Sequence, residues 1–300
     1  MRKYDIQIIS APSILGLRPT GVEAMADALL AAGLRDALSV TKPGIFVPTL
    51  NDTYDPHRDA HTRCLNPSAI ADFSRLLAGE VAVTIRNNNF AFVLGGDCSI
   101  LLGAMLGLKP IGQYGLIFLD AHADFYGPDQ SPTGEVADMD LALVSGRGPA
   151  ELTNLNDRCP YVLDENIIHI GQRDELEVAR YGAPDIRDTM ISCYDLKSIR
   201  DNGIESTMGA VLQAMRMRLV EGFWIHFDTD VLADDMNPAV DYRLPGGLTF
   251  QETAYSLKSL LQTGRIAGIT VTIFNPALDV TGQITRNILN CLTIAFGFGK

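Results

Sequence analysis

Residues 90–124 decide the fold and read FAFVLGGDCSILLGAMLGLKPIGQYGLIFLDAHAD. Within them, Phe90–Leu94 and Leu116–Leu119 are continuous apolar runs bounded by turn residues, a pattern typical of strands buried on both faces. Between these runs, Ile100–Leu108 has helical spacing. A strand, a helix and a second strand in succession indicate parallel pairing.

The same alternation extends along the rest of the chain. Further continuous apolar runs occur at Ile6–Ile9, Ile167–Ile170, Phe223–Phe227 and Ile266–Ile273. Helical spacing recurs at Val22–Leu34, Pro67–Arg86, Glu205–Val220, Phe250–Gln262 and Gln283–Phe296. This order predicts a three-layer α/β/α fold with a mainly parallel sheet. Because no repeat or Pro/Ser-rich linker divides the chain, we expect a single domain over residues 1–300.

Composition excludes several classes of protein. Hydrophobic residues form 47% of the 300 residues and mean hydropathy is +0.11, so the chain can bury enough apolar surface to fold. The net charge of −12 disfavours nucleic acid and anionic membranes as partners. No apolar run approaches the roughly eighteen residues of a membrane span, and no signal segment opens the chain. We therefore expect a cytoplasmic protein.

Polar residues concentrate where two predicted strands end, which is where parallel sheets bind ligands. If each strand stays extended, its period of two turns alternate side chains to one side. The side chains so placed are Asp120, His122 and Asp124 after one strand, and His226, Asp228 and Asp230 at the end of another. A third strand runs into Gly95–Ser99, a tight turn that would present Cys98 at the same edge.

Four aspartates brought together without a counter-charge would cost several kcal/mol. Neither motif contains a Lys or Arg. Two divalent ions such as Mn²⁺ would balance the charge, and such a pair lowers the pKa of a shared water and makes it a nucleophile. The alternative is a purely structural acidic edge. Spacing and charge favour a metal-dependent hydrolase.

Three motifs in this order resemble the arginase/agmatinase (ureohydrolase) family. They are Gly-Gly-Asp-Cys-Ser at 95–99, Asp-Ala-His-Ala-Asp at 120–124 and Asp-Thr-Asp at 228–230. Supporting matches occur at 21–23, 170–174, 245–249 and 275–276. The resemblance implies an α/β/α fold, two Mn²⁺ ions per chain, hydrolysis of a small cationic guanidine or amidine to urea or a counterpart, and homotrimers or homohexamers.

The resemblance also implies roles for particular residues. One metal would be held by Cys98, Asp120, Asp124 and Asp228, and the other by Asp120, His122, Asp228 and Asp230. Hydroxide between the metals would attack the guanidinium carbon, with Asp124 carrying its proton to the departing amine. Four aspartates and a thiolate carry −5 against +4 from two divalent ions, so the loaded centre would attract a cation.

Two departures from the family concern the metal centre. Cys98 stands where the family usually has His. In this respect the chain is similar to the N-hydroxyarginine amidinohydrolases of D-cycloserine-type pathways, which have Cys at the same position and a His at the position of His226. The thiol is either a ligand or an inert buried group. Ala137 stands at the position of the proton-shuttling His of arginases. His226 either replaces that shuttle as a catalytic residue or packs beside Asp228.

Other departures concern the substrate. The family Glu that binds the guanidinium is replaced by Ile273, so either another acid such as Glu135 or Asp241 supplies that contact or the substrate is not an ordinary guanidinium. Tyr126 replaces an Asn that binds the substrate carboxylate, and Thr133 keeps a hydroxyl there. We therefore predict Tyr126, Thr133 and Glu135 as substrate-binding residues, and a modified guanidine or amidine, such as an N-hydroxyarginine-like molecule, as substrate instead of L-arginine.

Two rival functions are open. One is a catalytically silent ureohydrolase-like subunit or regulator, suggested by the replaced family residues. The other is metal-dependent amide hydrolysis of the deacetylase type, which uses a related fold. The retained acids favour an enzyme, because a chain without metal would gain stability by losing clustered carboxylates. The 120–124 and 245–249 motifs favour the ureohydrolase.

Overall fold

The computed structural model of the protein describes residues 5–49 and 54–298, so residues 1–4, 50–53 and 299–300 of the predicted domain lie outside the described residues. In this part of the chain the strands are β1 (Ile6–Ala11), β2 (Ile45–Phe46), β3 (Phe90–Gly95), β4 (Tyr114–Leu119), β5 (Ile167–Ile170), β6 (Ser192–Tyr194), β7 (Gly222–Asp228) and β8 (Ile266–Thr272). They form one sheet in the order β2-β1-β3-β8-β7-β4-β5-β6. All neighbouring strands are parallel.

Helices connect and cover these strands. The α-helices are α1 (Met25–Ala31), α2 (Leu34–Ala37), α3 (Pro67–Arg86), α4 (Ile100–Leu108), α5 (Asp140–Val144), α6 (Ala150–Thr153), α7 (Glu175–Tyr181), α8 (Leu196–Asn202), α9 (Ile204–Met217), α10 (Phe250–Gln262) and α11 (Gln283–Ala295). Short 3-10 turns lie at Val22–Ala24, Val136–Asp138, Leu155–Asp157, Asp164–Asn166, Ile186–Asp188, Thr229–Val231 and Pro276–Leu278. The helical spacing predicted over Val22–Leu34 corresponds to the 3-10 turn at Val22–Ala24 and to α1, and Gly33, with a φ of 99°, separates α1 from α2 near the end of that range.

Alternate residues of each strand enter two separate hydrophobic cores. In β4, Phe118 packs into the core that α3 and α4 cover, whereas Ile117 and Leu119 pack into the core that α10 and α11 cover. All nine residues of α4 are buried, which explains why it is apolar all round. Helices on both faces of a parallel sheet confirm the predicted α/β/α architecture.

The six continuous apolar runs correspond to the six longer strands, and no predicted run corresponds to β2 or β6. These strands have two and three residues and lie at the two edges of the sheet. Such short segments carry no readable alternation or apolar run. Among the described residues, no helix combines the length and apolar character that crossing a membrane requires.

The centre of the sheet positions the site. Strands β3, β8, β7 and β4 are neighbours, so the residues that follow their carboxyl ends meet at one edge. The turn after β3 must pass very close to the segment after β1, since a Cβ on Gly96 would lie 1.9 Å from the carbonyl oxygen of Ser13. Only glycine fits there, and this contact fixes where the turn presents Cys98.

Candidate active site

The segment after β4 bends sharply and does not remain extended. The Asp120 carboxylate accepts a hydrogen bond from the His122 backbone N–H at 2.7 Å, and Asp124 has a φ of 44°. The prediction that a period of two aligns these side chains is therefore wrong. The bend nevertheless brings ligand atoms of Asp120, His122 and Asp124 within 4.8 Å of one another.

The end of β7 supplies the second acidic cluster. Asp228 closes the strand and accepts a hydrogen bond from the Asp230 N–H at 2.7 Å, at the start of a 3-10 turn. The Asp230 carboxylate then reaches the β4 side, where one oxygen accepts from the Ala121 N–H at 3.1 Å and the other lies 2.8 Å from His122 Nδ1. The two clusters thus meet at neighbouring strand ends.

Cys98 reaches the same place from the turn after β3. Its side chain is buried, and its S–H donates to the Asp228 carboxylate at 2.7 Å. Ligand atoms of Cys98, Asp120 and Asp228 lie within 4.8 Å of one another. Asp97, one residue earlier, instead accepts bonds from Ser13 and Ser99 and anchors the turn. The structure therefore brings together all six residues predicted as ligands.

The electrostatics of this cluster suit bound cations. Burial raises the pKa of Asp120 to about 8, with the charge of Asp230 adding to the effect. Burial and neighbouring aspartates likewise raise the pKa values of Asp124 and Asp228. Burial would also raise the pKa of Asp230, but the adjoining His122 ring outweighs it and the pKa is lowered. One buried oxygen of Asp120 has no hydrogen-bond partner, and a divalent cation would satisfy it.

A cavity of about 300 Å³ opens onto the cluster. Acids and a thiol form one part of its wall, and tyrosines and aliphatic side chains form most of the remainder. Its lining residues are Leu17, Cys98, His122, Asp124, Tyr126, Pro132, Thr133, Glu135, Ala137, Asp138, Glu177, Tyr181, Asp228, Asp230, Tyr242 and Ile273.

A model of the arginase family matches residues 4–296. The chain belongs to the arginase family. It is 31% identical over 299 residues to an arginase of Staphylococcus aureus (strain COL), with 97% of each chain covered. The crystallised arginase of Bacillus caldovelox superposes with a TM-score of 0.86 at 26% identity, covering 98% of each chain. Formimidoylglutamase of Bacillus subtilis shares the fold, with a TM-score of 0.70 at 18% identity over 97% of this chain and 86% of that one.

These findings confirm the resemblance drawn from the three motifs. As an arginase-family chain, the protein is a ureohydrolase, an amidinohydrolase enzyme. Membership of the arginase family disfavours the deacetylase-type alternative. The family is metal-dependent, and the buried cluster offers the ligand atoms that a metal requires.

The residues predicted to bind substrate line the cavity of this arginase-family chain. Glu135, however, is already paired: Arg18 Nε donates to one carboxylate oxygen and the Tyr242 hydroxyl to the other, both at 2.7 Å. Thr133 donates to Asp138 at 3.1 Å, and the Tyr126 ring lies edge-on to a neighbouring tyrosine. Glu135 is therefore not a free carboxylate for a guanidinium.

Two other residues weighed from the sequence lie away from the cavity. Asp241 accepts hydrogen bonds from Thr20 at 2.9 Å and Asn275 at 3.5 Å, and it does not line the wall. His226 is fully buried, with Nδ1 2.9 Å from the Thr270 hydroxyl, and burial lowers the pKa of His226 to about 3. A ring nitrogen of His226 also lies within 4.8 Å of ligand atoms of Cys98, Asp120 and Asp228. His226 thus borders the cluster without lining the cavity, and the catalytic role proposed for it stays a prediction.

Sequence reasoning missed two residues of the site. Arg173 is half-buried, and its guanidinium donates to the carbonyl oxygen of Asp230 at 2.7 Å, so a cation does approach the acids. Its place in the 170–174 motif was a usable signal. Asp140, the first residue of α5, is fully buried, and neither carboxylate oxygen has a hydrogen-bond partner. An aspartate before an apolar run resembles an ordinary helix start, so no local signal marked it.

Proposed function

We propose that the chain is a binuclear manganese amidinohydrolase acting on a C–N bond of a weakly basic guanidine or amidine, with urea or a substituted urea as product. The observation that supports this most directly is the buried acidic cluster. Asp120, Asp124, Asp228 and Asp230 lie together with one nearby guanidinium, and a buried oxygen of Asp120 lacks a partner. Such a group is stable when cations are bound to it.

The donors fit two ions of the manganese type. Cys98, Asp120, Asp124 and Asp228 would hold one ion, and Asp120, His122, Asp228 and Asp230 the other. Carboxylates with one imidazole suit Mn²⁺, and the thiolate forms when metal displaces its proton. When bound, two such ions would lower the pKa of a water shared between them and supply the nucleophile near neutral pH.

The protein's own residues would handle the proton and the substrate. Asp124 lines the cavity with 6% of its surface exposed, and its pKa is raised by burial and by the charge of Asp120. Its carboxylate is therefore suited to accept a proton from the attacking water and to return it to the departing amine. Tyr126 and Thr133 line the outer cavity and would contact the rest of the substrate.

The cavity wall favours a substrate of low basicity. Leu17, Ala137 and Ile273 form one apolar cluster with Cys98 on that wall, and Glu135 is neutralised by Arg18. Beside this apolar cluster a fully protonated guanidinium would meet no unpaired carboxylate in place of the family Glu, so its desolvation there would be poorly compensated, although Asp138 and Glu177 also line the cavity. An oxygen attached to the guanidine nitrogen lowers basicity, and an N-hydroxyarginine-like molecule therefore fits better than L-arginine.

Metal analysis and a urea assay test this proposal. We expect about two Mn²⁺ per chain after growth in manganese, and kcat/KM for N-hydroxy-L-arginine at least about tenfold above that for L-arginine, the equivalent of one charge-assisted hydrogen bond. Asp230→Asn should abolish turnover, whereas Asp234→Asn, which changes an exposed ion pair with Arg243, should retain it. Purified protein free of metal after this growth would refute the proposal.

Three further properties remain predictions: a single domain over residues 1–300, a cytoplasmic location, and a homotrimer or homohexamer. Analytical ultracentrifugation tests the last of these. A single species at three or six times the 32.6 kDa chain mass is expected. A monomer at micromolar concentration would contradict it.

A further inference from the structure

Asp140 is a buried carboxylate that the six predicted ligands do not explain. It begins α5, directly after the loop that forms part of the cavity wall, and its side chain is fully buried. Neither oxygen makes a hydrogen bond. Buried polar groups almost always have partners, so two orphaned oxygens on one residue indicate a missing ligand.

The neighbours of Asp140 identify what that ligand would be. One of its oxygens, the Cys98 sulfur and an Asp124 oxygen lie within 4.8 Å of one another, a spacing at which three donors can contact a single ion. Both of these neighbours belong to the same predicted metal position. The orphaned carboxylate is thus directed at the existing cluster.

No protein cation in the described part of the chain pairs with Asp140. Among basic side chains of the described residues, the one within 4.0 Å is His226, whose Nε2 lies 3.9 Å away, beyond hydrogen-bond distance, and whose Nδ1 lies 2.9 Å from the Thr270 hydroxyl. Protonation of Asp140 would remove its charge but would still leave its second oxygen without a side-chain donor.

We propose that Asp140 is a further ligand of the metal centre, binding the ion that Cys98 and Asp124 hold. This inference rests on the proposed metal-dependent function. Its chemical consequence concerns metal choice. A thiolate is a soft donor that favours zinc-like ions, and an added carboxylate oxygen restores the hard donors that Mn²⁺ prefers. Asp140 would therefore allow a cysteine-containing site to retain manganese.

Manganese titration tests this without any assay of turnover. The unmodified protein, Asp140→Asn and Asp279→Asn are stripped of metal and titrated with Mn²⁺, with free Mn²⁺ followed by electron paramagnetic resonance. Asp279 is the matched control, because it is also a buried carboxylate but accepts its bonds from Thr285. We expect Asp140→Asn to weaken one of two ions by at least about tenfold, as the loss of a supporting ligand commonly does, and Asp279→Asn to bind both normally.

Two other outcomes of the titration would contradict the inference about Asp140. Two ions bound to Asp140→Asn with unchanged affinity would overturn the inference while leaving the proposed function intact, whereas an unmodified protein that binds none would overturn both. If Asp140→Asn does not fold, manganese anomalous diffraction from the unmodified protein replaces it. An anomalous peak within about 2.6 Å of an Asp140 oxygen supports the inference, and peaks confined to positions beyond reach of Asp140 refute it.

Discussion

Replacing Asp120 by Asn should stabilise the metal-free protein, and the gain should increase with pH. Burial and the charge of Asp230 raise the pKa of Asp120 from 3.8 to about 8 in the folded state. Above about pH 4 the unfolded chain releases this proton while the folded chain retains it, so folding becomes less favourable as pH rises. The penalty stops increasing near pH 8, where the folded group also ionises.

The magnitude follows from the two pKa values. A pKa raised from 3.8 to about 8 corresponds to on the order of 5 kcal/mol at pH 8 and on the order of 1 to 2 kcal/mol at pH 5, since each pH unit contributes about 1.4 kcal/mol. Asparagine has nearly the same shape and no charge, so Asp120→Asn should recover much of this amount. In the presence of Mn²⁺ the sign should reverse, because the variant loses a ligand and with it the stabilisation by bound metal.

Urea unfolding in a chelator at about pH 5, 6.5 and 8 measures this difference. Asp279→Asn is the control. Hydrogen bonds from the Thr285 backbone and side chain outweigh burial and lower the pKa of Asp279, so its carboxylate is ionised in both states across this range and the variant should lose a constant amount of stability. A gain from Asp120→Asn that is flat or falls with pH would refute the electrostatic account of the cluster.

Three other substitutions probe the site. Cys98→Ser should lower the affinity for one Mn²⁺ by about tenfold or more in a titration, because a hydroxyl is a poorer ligand than a thiolate. Cys291→Ser, which changes a buried thiol far from the cluster, should leave both affinities unchanged. Equal affinities in the two variants would assign Cys98 to packing. Gly96→Ala should cost about 3 kcal/mol or more in urea unfolding, since its Cβ would lie 1.9 Å from a carbonyl oxygen, whereas Gly209→Ala has open space in a helix and should be neutral or stabilising. Ile273→Glu should raise kcat/KM for L-arginine by about tenfold by placing a carboxylate on the apolar wall; a folded, metal-loaded variant without that rise would show that guanidinium binding is limited elsewhere.

Local patterns account for the features that the sequence predicted correctly. The longer strands are buried on both faces, so each is a continuous apolar run, and the acids follow strands whose ends meet at one edge. Where the backbone departs from regular geometry, the local rule fails. Residues 120–124 bend because Asp120 captures the backbone N–H two residues later, and this hydrogen bond is invisible to a period-two argument.

The net charge of the site cannot be predicted from local sequence patterns alone. Which groups can ligate metal is visible from residue types, but the net charge around them depends on residues brought close from distant parts of the chain. As a metal ligand, Asp140 would add one negative charge to the cluster, and Arg173 adds one positive charge through a segment that follows β5. These two charges cancel, so the net charge of the site calculated from the three motifs alone is unchanged, although the calculation included neither residue. The resulting negative centre attracts a cation, while the apolar wall around Ile273 disfavours a strongly hydrated one. Together these opposing effects would favour the weakly basic guanidine that is proposed as substrate.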